Sequence, residues 1–411
     1  MTTLNYLLPG VPTSRGWRVA RLDVLLLSVV AALIALGLVM VSSASMPVAE
    51  RLELDTFHFL IRQSVFVLMG VALGLVVLRV PLKWWEQSGF ACLLLAMLLL
   101  VLVLVPGIGH AVNGSTRWIS FGFFGLQVSE AAKFLIIIYI AGYLVRHRQE
   151  VQQTTLAFIK PMIVVSLAAF LLLLEPDFGA TVVITTTVLV MMFMAGVRLR
   201  KFSLLLLICS VLLYLLIVTS NYRMNRMTGF MNPWEDPFNS GFQLIQSLIA
   251  IGRGEWFGVG LGASVQKLFY LPEAHTDFVF AVTAEELGLV GITVLLSMYA
   301  FVVLRSFSIA HNAFKQNFLF AGYLAYGVGT WIALQTLINV GVNTGMLPTK
   351  GLTLPFMSYG GSSMLAMCAA IALLLRVDYE THCLRKGSSS RQAASRKTAK
   401  KLPGMFTGRR Q

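Results

Sequence analysis

Acidic side chains are scarce in this chain: 18 Asp and Glu stand against 32 Lys and Arg in 411 residues, and only 12% of positions are charged. With 57% of residues hydrophobic, that leaves too little polar surface for an ordinary water-soluble domain. Cysteine is as sparse. Cys92, Cys209, Cys368 and Cys383 are scattered without C-x-x-C spacing, which excludes a disulfide framework and a zinc site. The six histidines never fall at H-x-x-x-H spacing, and neither G-x-x-x-x-G-K-[ST] nor G-x-S-x-G is present. Metalloprotease, nucleotide-driven and serine-hydrolase chemistry therefore drop away. The spaced glycines at 252, 254, 258, 260 and 262 are too weak a pattern to stand for a phosphate cradle on their own.

What the chain has instead is long apolar runs, which predict an all-α polytopic membrane protein. Ten spans are expected near 24–43, 61–79, 88–105, 130–145, 160–174, 178–196, 202–219, 284–304, 318–341 and 354–375. The Glu175-Pro176-Asp177 break makes 160–196 either one long kinked helix or a tight hairpin of two spans, and the hairpin is preferred because it keeps the later loops on consistent sides. Arg15, Arg18 and Arg21 precede a first apolar run too long for a signal sequence, so that run reads as a retained helix. With the N-terminus inside, 23 Lys and Arg fall on the cytoplasmic side and 8 on the other, while Lys133 lies within a span. Both termini are thus expected in the cytoplasm, and the net charge of +14 reflects topology rather than a nucleic-acid partner. The expected organisation is a cytoplasmic segment 1–22, a membrane domain 23–376 with a large outer loop at about 220–283, and a basic tail 377–411. That tail is too poor in apolar residues to fold alone, and is expected to be disordered near anionic lipid. Within the outer loop, Phe242, Ile245, Leu248 and Ile249 recur at helical spacing and predict an amphipathic or plug helix.

Residues 270–291 concentrate the scarce acids. Glu273, His275, Asp277, Glu285 and Glu286 sit at the mouth of the eighth span, where charge costs solvation unless pairing or function offsets it. The topology places other polar residues on the same outer side: Arg117 at the end of the third loop, Glu130 and Lys133 at the start of the fourth span, Glu175 and Asp177 after the fifth, and Lys350 before the tenth. Glu130 and Lys133, at i and i+3, either form a helix-stabilising ion pair or face a polar cavity. Without a nucleotide site, an enzyme in the outer leaflet needs a substrate with its own leaving group, and a polyprenyl pyrophosphate is one. A carboxylate then serves as general base, and Arg, Lys or a divalent cation (Mg or Mn) stabilises the departing pyrophosphate. The same residue types suit a carrier that uses Asp277 and Glu130 as a proton or ion relay.

Several longer motifs go further. Asn232-Pro-Trp-Glu-Asp-Pro237, Gly258-Val-Gly-Leu-Gly262, Leu271-Pro-Glu-Ala-His-Thr-Asp277-Phe, Glu285-Glu-Leu-Gly288 and the run from Gly351 through Ser358 to Ser363 resemble the SEDS family (shape, elongation, division and sporulation). The resemblance spans about 20–380 and favours the cell-division branch. It implies a ten-span glycosyltransferase of the bacterial inner membrane, at the division septum, that polymerises lipid II into peptidoglycan strands. It also implies a class B penicillin-binding protein and other division proteins as partners. By the family pattern Asp277 is the catalytic aspartate, and Arg117, Glu130, Lys133, Glu273, His275, Lys350 and Ser358 are candidate substrate contacts. Gln127-Val-Ser-Glu-Ala-Ala-Lys133 corresponds to the family's Q-P-S-E-x-x-K with Val128 in place of Pro, and Glu175 stands where Gln often precedes Pro-Asp. A lipid II flippase and a division scaffold without bond chemistry are the competing functions.

Overall fold

The computed structural model describes residues 22–401 apart from 113–114, 121, 123–124, 198, 220–223, 225–228, 240 and 349–350. Helices α1 (Val24–Arg51) and α2 (His58–Arg79) lead through a short α3 (Leu82–Gln87) into α4 (Gly89–Leu102). After a small sheet come α5 (Val128–Arg146), the short α6 (Arg148–Gln153), α7 (Thr155–Leu174), α8 (Phe178–Met194) and α9 (Leu199–Val218). A single 3-10 turn (Pro233–Glu235) and α10 (Phe242–Arg253) precede α11 (Val279–Lys315), α12 (Leu319–Asn343) and α13 (Gly361–Lys401). A long helix lies on each of the ten expected runs. Among the described residues six helices have the length and hydropathy to cross a membrane, and α4 and α8 are apolar but shorter. The chain is a multi-pass membrane protein.

The α7–α8 hairpin forms as expected, because Asp177 caps α8: its Oδ1 accepts from Ala180 N at 3.0 Å. Three features depart from the sequence reading. A three-stranded antiparallel sheet of β1 (Gly109–Val112), β2 (Ser115–Ser120) and β3 (Gly125–Gln127) fills the loop between α4 and α5. The last span begins at Gly361 rather than 354. Residues 351–360 are irregular, and Ser358 Oγ accepts from Leu354 N at 2.8 Å, closing a turn that competes with helix. The segment from 377, expected to be disordered, instead continues α13 to Lys401, with Val377, Asp378, Glu380 and Thr381 buried. The composition argument concerns a segment folding alone, whereas here a buried helix has already met the cost of nucleation.

α12 lies at the centre, packed against α5, α8, α11 and α13, while α13 lies along α2. α11 breaks at Gly288, whose φ of 67° is open to glycine. In lipid every backbone group freed by such a break needs an internal partner. The loop after α10 supplies them. Val259 N and Gly260 N donate to Glu285 O and Glu286 O at 3.0 and 3.2 Å, and Leu289 N and Val290 N donate to Glu255 O and Trp256 O at 2.8 and 3.0 Å. Gly258 is held so close that a Cβ there would lie 2.1 Å from Glu286 O. A Cβ at Gly254 would lie 2.0 Å from Ala284 O, so Gly254 and Gly258 are packing devices at a broken helix.

Candidate active site

Asp277 stands in the turn that leads into α11, half-buried, two residues before the helix begins at Val279. Its backbone carbonyl accepts from Asn339 Nδ2 at 2.9 Å and Asn343 Nδ2 at 3.1 Å, both on α12. Across from it lies Gly351, where a Cβ would sit 3.2 Å from Asp277 Oδ2. Glu273, exposed in the same turn, accepts from Thr276 Oγ1 at 2.7 Å. His275 sits between Phe59 and Tyr359, with ring centroids 5.1 and 5.6 Å away. Burial pushes its imidazole below the usual range, so the neutral ring is favoured, and its buried Nδ1 has no hydrogen-bond partner.

The five ionisable groups that the sequence bunches together do not share one site. Glu285, fully buried, accepts from Arg253 Nη1 at 2.9 Å, Val265 N at 3.1 Å and Ser264 Oγ at 2.5 Å. Glu286 accepts from Ser43 Oγ at 2.7 Å and Lys267 Nζ at 2.9 Å, while the same ammonium donates to Ser43 Oγ and Gly262 O. These two carboxylates tie the end of α10 and the loop after it to α11 and α1. Their cost of burial is offset by these hydrogen bonds, and the expectation that they belong to the chemical centre is corrected.

Glu130 and Lys133 form the ion pair that was one of the two readings of their spacing. Lys133 Nζ lies 2.7 Å from Glu130 Oε1 and 3.0 Å from Gln335 Oε1, and 5.3 Å from the Trp331 ring centroid. The side chains are buried, with residue exposures of 3% and 1%. Arg117, on β2, donates from Nε and Nη2 to the carbonyls of Glu175 and Pro176 at 3.2 and 2.6 Å, docking the sheet on the α7–α8 elbow. Beneath it Glu175 is 0% exposed with neither carboxylate oxygen hydrogen-bonded. Burial first, then the neighbouring Asp177, pushes its carboxyl up to about 8, against the opposing pull of Arg117. Ser358 is buried in the turn before α13, where it serves the backbone. Lys350 lies outside the described residues.

Residues 23–383 match the profile of the cell cycle protein family of FtsW, RodA and SpoVE. The chain belongs to this family. A "Probable peptidoglycan glycosyltransferase FtsW" of Thioalkalivibrio sulfidiphilus is 58% identical over 88% of this chain and 90% of its own. The protein of that name from Legionella pneumophila is 51% identical over 90% of this chain and 94% of its own. Among solved structures, a chain from "Structural coordination of polymerization and crosslinking by a peptidoglycan synthase complex" superposes with a TM-score of 0.73 at 30% identity, covering 89% of this chain and 99% of that one. The rod shape determining protein RodA of Thermus thermophilus superposes at 0.64 with 28% identity, covering 87% and 96%. The SEDS resemblance read from the motifs is borne out.

In this FtsW/RodA/SpoVE chain the residues that sequence reasoning missed lie on α12. Trp331, Gln335, Asn339 and Asn343 recur every four residues and form one polar stripe on a buried helix. Gln335 joins Lys133 to the 351–354 segment through Thr353 O at 3.1 Å, and Asn339 reaches both Leu352 O at 2.7 Å and Asp277 O. One helix face thereby connects the Glu130–Lys133 pair to the Asp277 turn. The one signal in the sequence is the spacing of the amides at i, i+4 and i+8 along an apolar helix, and because each is neutral it reads there as a tolerable interruption.

Proposed function

We propose that this chain polymerises lipid II into peptidoglycan strands at the outer face of the inner membrane during cell division. The observation that carries the reading is 58% identity, over 88% of the chain, to a protein named a probable peptidoglycan glycosyltransferase. Asp277 is the general base. The 4-hydroxyl of the acceptor sugar attacks the anomeric carbon of the donor, and the new glycosidic bond forms as the bond to the pyrophosphate oxygen breaks. The hydroxyl proton passes to the Asp277 carboxylate, and undecaprenyl pyrophosphate leaves with the bonding electron pair. The half-buried turn and the close wall at Gly351 support this role by limiting the positions open to the carboxylate. Arg117 and Lys350 are the cations proposed for the pyrophosphate. Among the described residues no three His, Cys, Asp or Glu side chains come together to hold a metal ion. A magnesium or manganese ion is therefore proposed only as one that travels with the pyrophosphate, which needs one or two protein carboxylates at most, and no step is routed through it.

The proposed partner is a class B penicillin-binding protein that crosslinks the strands, and the proposed setting is the septum, with both termini in the cytoplasm. The test uses the purified chain with its transpeptidase and labelled lipid II. Asp277→Asn keeps the side-chain shape but removes proton acceptance, and is expected to lower polymerisation on the order of a hundred- to ten-thousand-fold while insertion and partner co-purification persist. Near-normal strand synthesis by this variant would remove Asp277 from the mechanism. Lipid II crossing the bilayer without strand formation by the wild-type pair would make the chain a flippase.

A further inference from the structure

Two amide side chains on α12 use their full donor capacity around Asp277. The Asn339 NH₂ group has two protons and two carbonyl partners, Asp277 O at 2.9 Å and Leu352 O at 2.7 Å. The Asn343 NH₂ group likewise reaches Asp277 O at 3.1 Å and Asn339 O at 2.9 Å, while its Oδ1 accepts from Ala281 N at 3.2 Å. The Asp277 carbonyl therefore receives two donors, one for each lone pair. Both asparagines are almost wholly buried, at 2% and 0% exposure, so these hydrogen bonds meet no competition from water.

Two geometric consequences follow. A peptide carbonyl held from two directions cannot rotate, so the Cα–Cβ direction of Asp277 is fixed in a turn that has no helical ladder of its own. Because the Asn339 amide also holds Leu352 O, it sets the register of the Gly351–Leu352 backbone against the turn. That backbone is the wall beside the Asp277 carboxylate, close enough that a Cβ at Gly351 would come within 3.2 Å of Oδ2. A single NH₂ group thus bridges the base and the surface that confines it.

We infer that Asn339 and Asn343 are positioning residues for glycosyl transfer, clamping the Asp277 carbonyl and the Gly351–Leu352 wall so that the carboxylate meets the acceptor hydroxyl in line. The inference rests on Asp277 being the base. Neither asparagine touches substrate. Their effect falls on the chemical step, because a base displaced by a fraction of an ångström binds substrate as before but takes the proton less well.

The experiment is a double-mutant cycle on the full chain with its transpeptidase, reading kcat and KM for labelled lipid II. Asn339→Leu, similar in size and without donors, is expected to lower kcat roughly ten- to hundred-fold with KM within about twofold. In an Asp277→Glu background, where the carboxylate is already misplaced, the same change is expected to cost no more than about twofold, since the clamp acts through the group it holds. Asn339→Ser, which keeps one donor, is expected to fall between wild type and Asn339→Leu, and it carries the cycle if the leucine variant does not accumulate. An Asn339→Leu kcat equal to wild type would overturn the inference. So would a loss of the same factor in both backgrounds, which is the mark of general structural damage. If Asp277→Asn itself makes strands at the wild-type rate, the assignment of the base fails, whatever the asparagine variants do.

Discussion

Lys133→Met is the most direct test of what holds the centre of the membrane domain together. It removes the ammonium from Glu130, Gln335 and the face of Trp331 at once, while keeping much of the stem that lines an apolar crevice with Ile137, Val183 and Trp331. Glu130 Oε2 already lacks a hydrogen-bond partner, so the change leaves a whole carboxylate buried with nothing opposite it. Breaking a buried pair from one side costs about 3–5 kcal/mol, whereas replacing both partners by neutral groups of similar shape is often close to neutral. The expected order is therefore wild type and Glu130→Gln/Lys133→Met close together, with Lys133→Met alone well below both. Gln335 survives either change, because its Oε1 still accepts from Trp331 Nε1 at 2.8 Å.

The assay is denaturant unfolding of the purified protein in micelles, followed by polymerisation at matched folded amounts. A single variant as stable as wild type, or a double variant as unstable as the single, would refute the ion-pair argument. The double variant also decides function. Strand synthesis that survives in it removes Glu130 and Lys133 from the substrate contacts, and loss of synthesis at normal stability keeps them there. An exchange of the two charges is a poorer test. It would set a carboxylate against Gln335 Oε1 and the negative face of Trp331, and would fail with or without a substrate role.

Three further outcomes are expected. Gly258→Ala pushes a Cβ to 2.1 Å from Glu286 O at a φ of 79°, so it should destabilise the domain by several kcal/mol and release the loop from α11, read as new protease cleavage near residue 258. Cysteine placed at the exposed Asn239 should react with an impermeant thiol reagent in spheroplasts while Cys383 does not; labelling of Cys383 alone would invert the proposed topology. Glu175, raised from 4.5 to about 8 chiefly by burial, keeps its proton when folded and releases it when unfolded. Stability should therefore fall as pH rises from about 5 to 8, by up to about 1.4 kcal/mol per pH unit, and Glu175→Gln should flatten that slope.

What the sequence made legible follows the physics of the bilayer. Each expected span became a helix because lipid demands a long apolar run and leaves the backbone no partner but itself. The sheet at 109–127 escaped because its strands are three to six residues long and are held by pairing rather than by a hydrophobic pattern. The acidic cluster was misjudged for a related reason. Composition shows that Glu285 and Glu286 need partners, but those partners, Ser43 on α1, Arg253 at the end of α10 and Ser264 and Lys267 in the loop after it, are chosen by the fold.

The same limit explains why Asp277 stands out in the sequence while the amides around it do not. An aspartate between Thr276 and Phe278 at the mouth of a span is conspicuous in a chain with 18 acids, because burying charge there needs a reason. Gln335, Asn339 and Asn343 are neutral, and in a sequence they read as three tolerable interruptions of an apolar helix. Their meaning lies in the carbonyls they meet, contributed by chain segments before and after α12. Charge announces itself because desolvating it costs more than anything nearby in the sequence repays. An amide costs less and is satisfied by two backbone oxygens, so a site built on amides becomes visible once the helices are assembled around it.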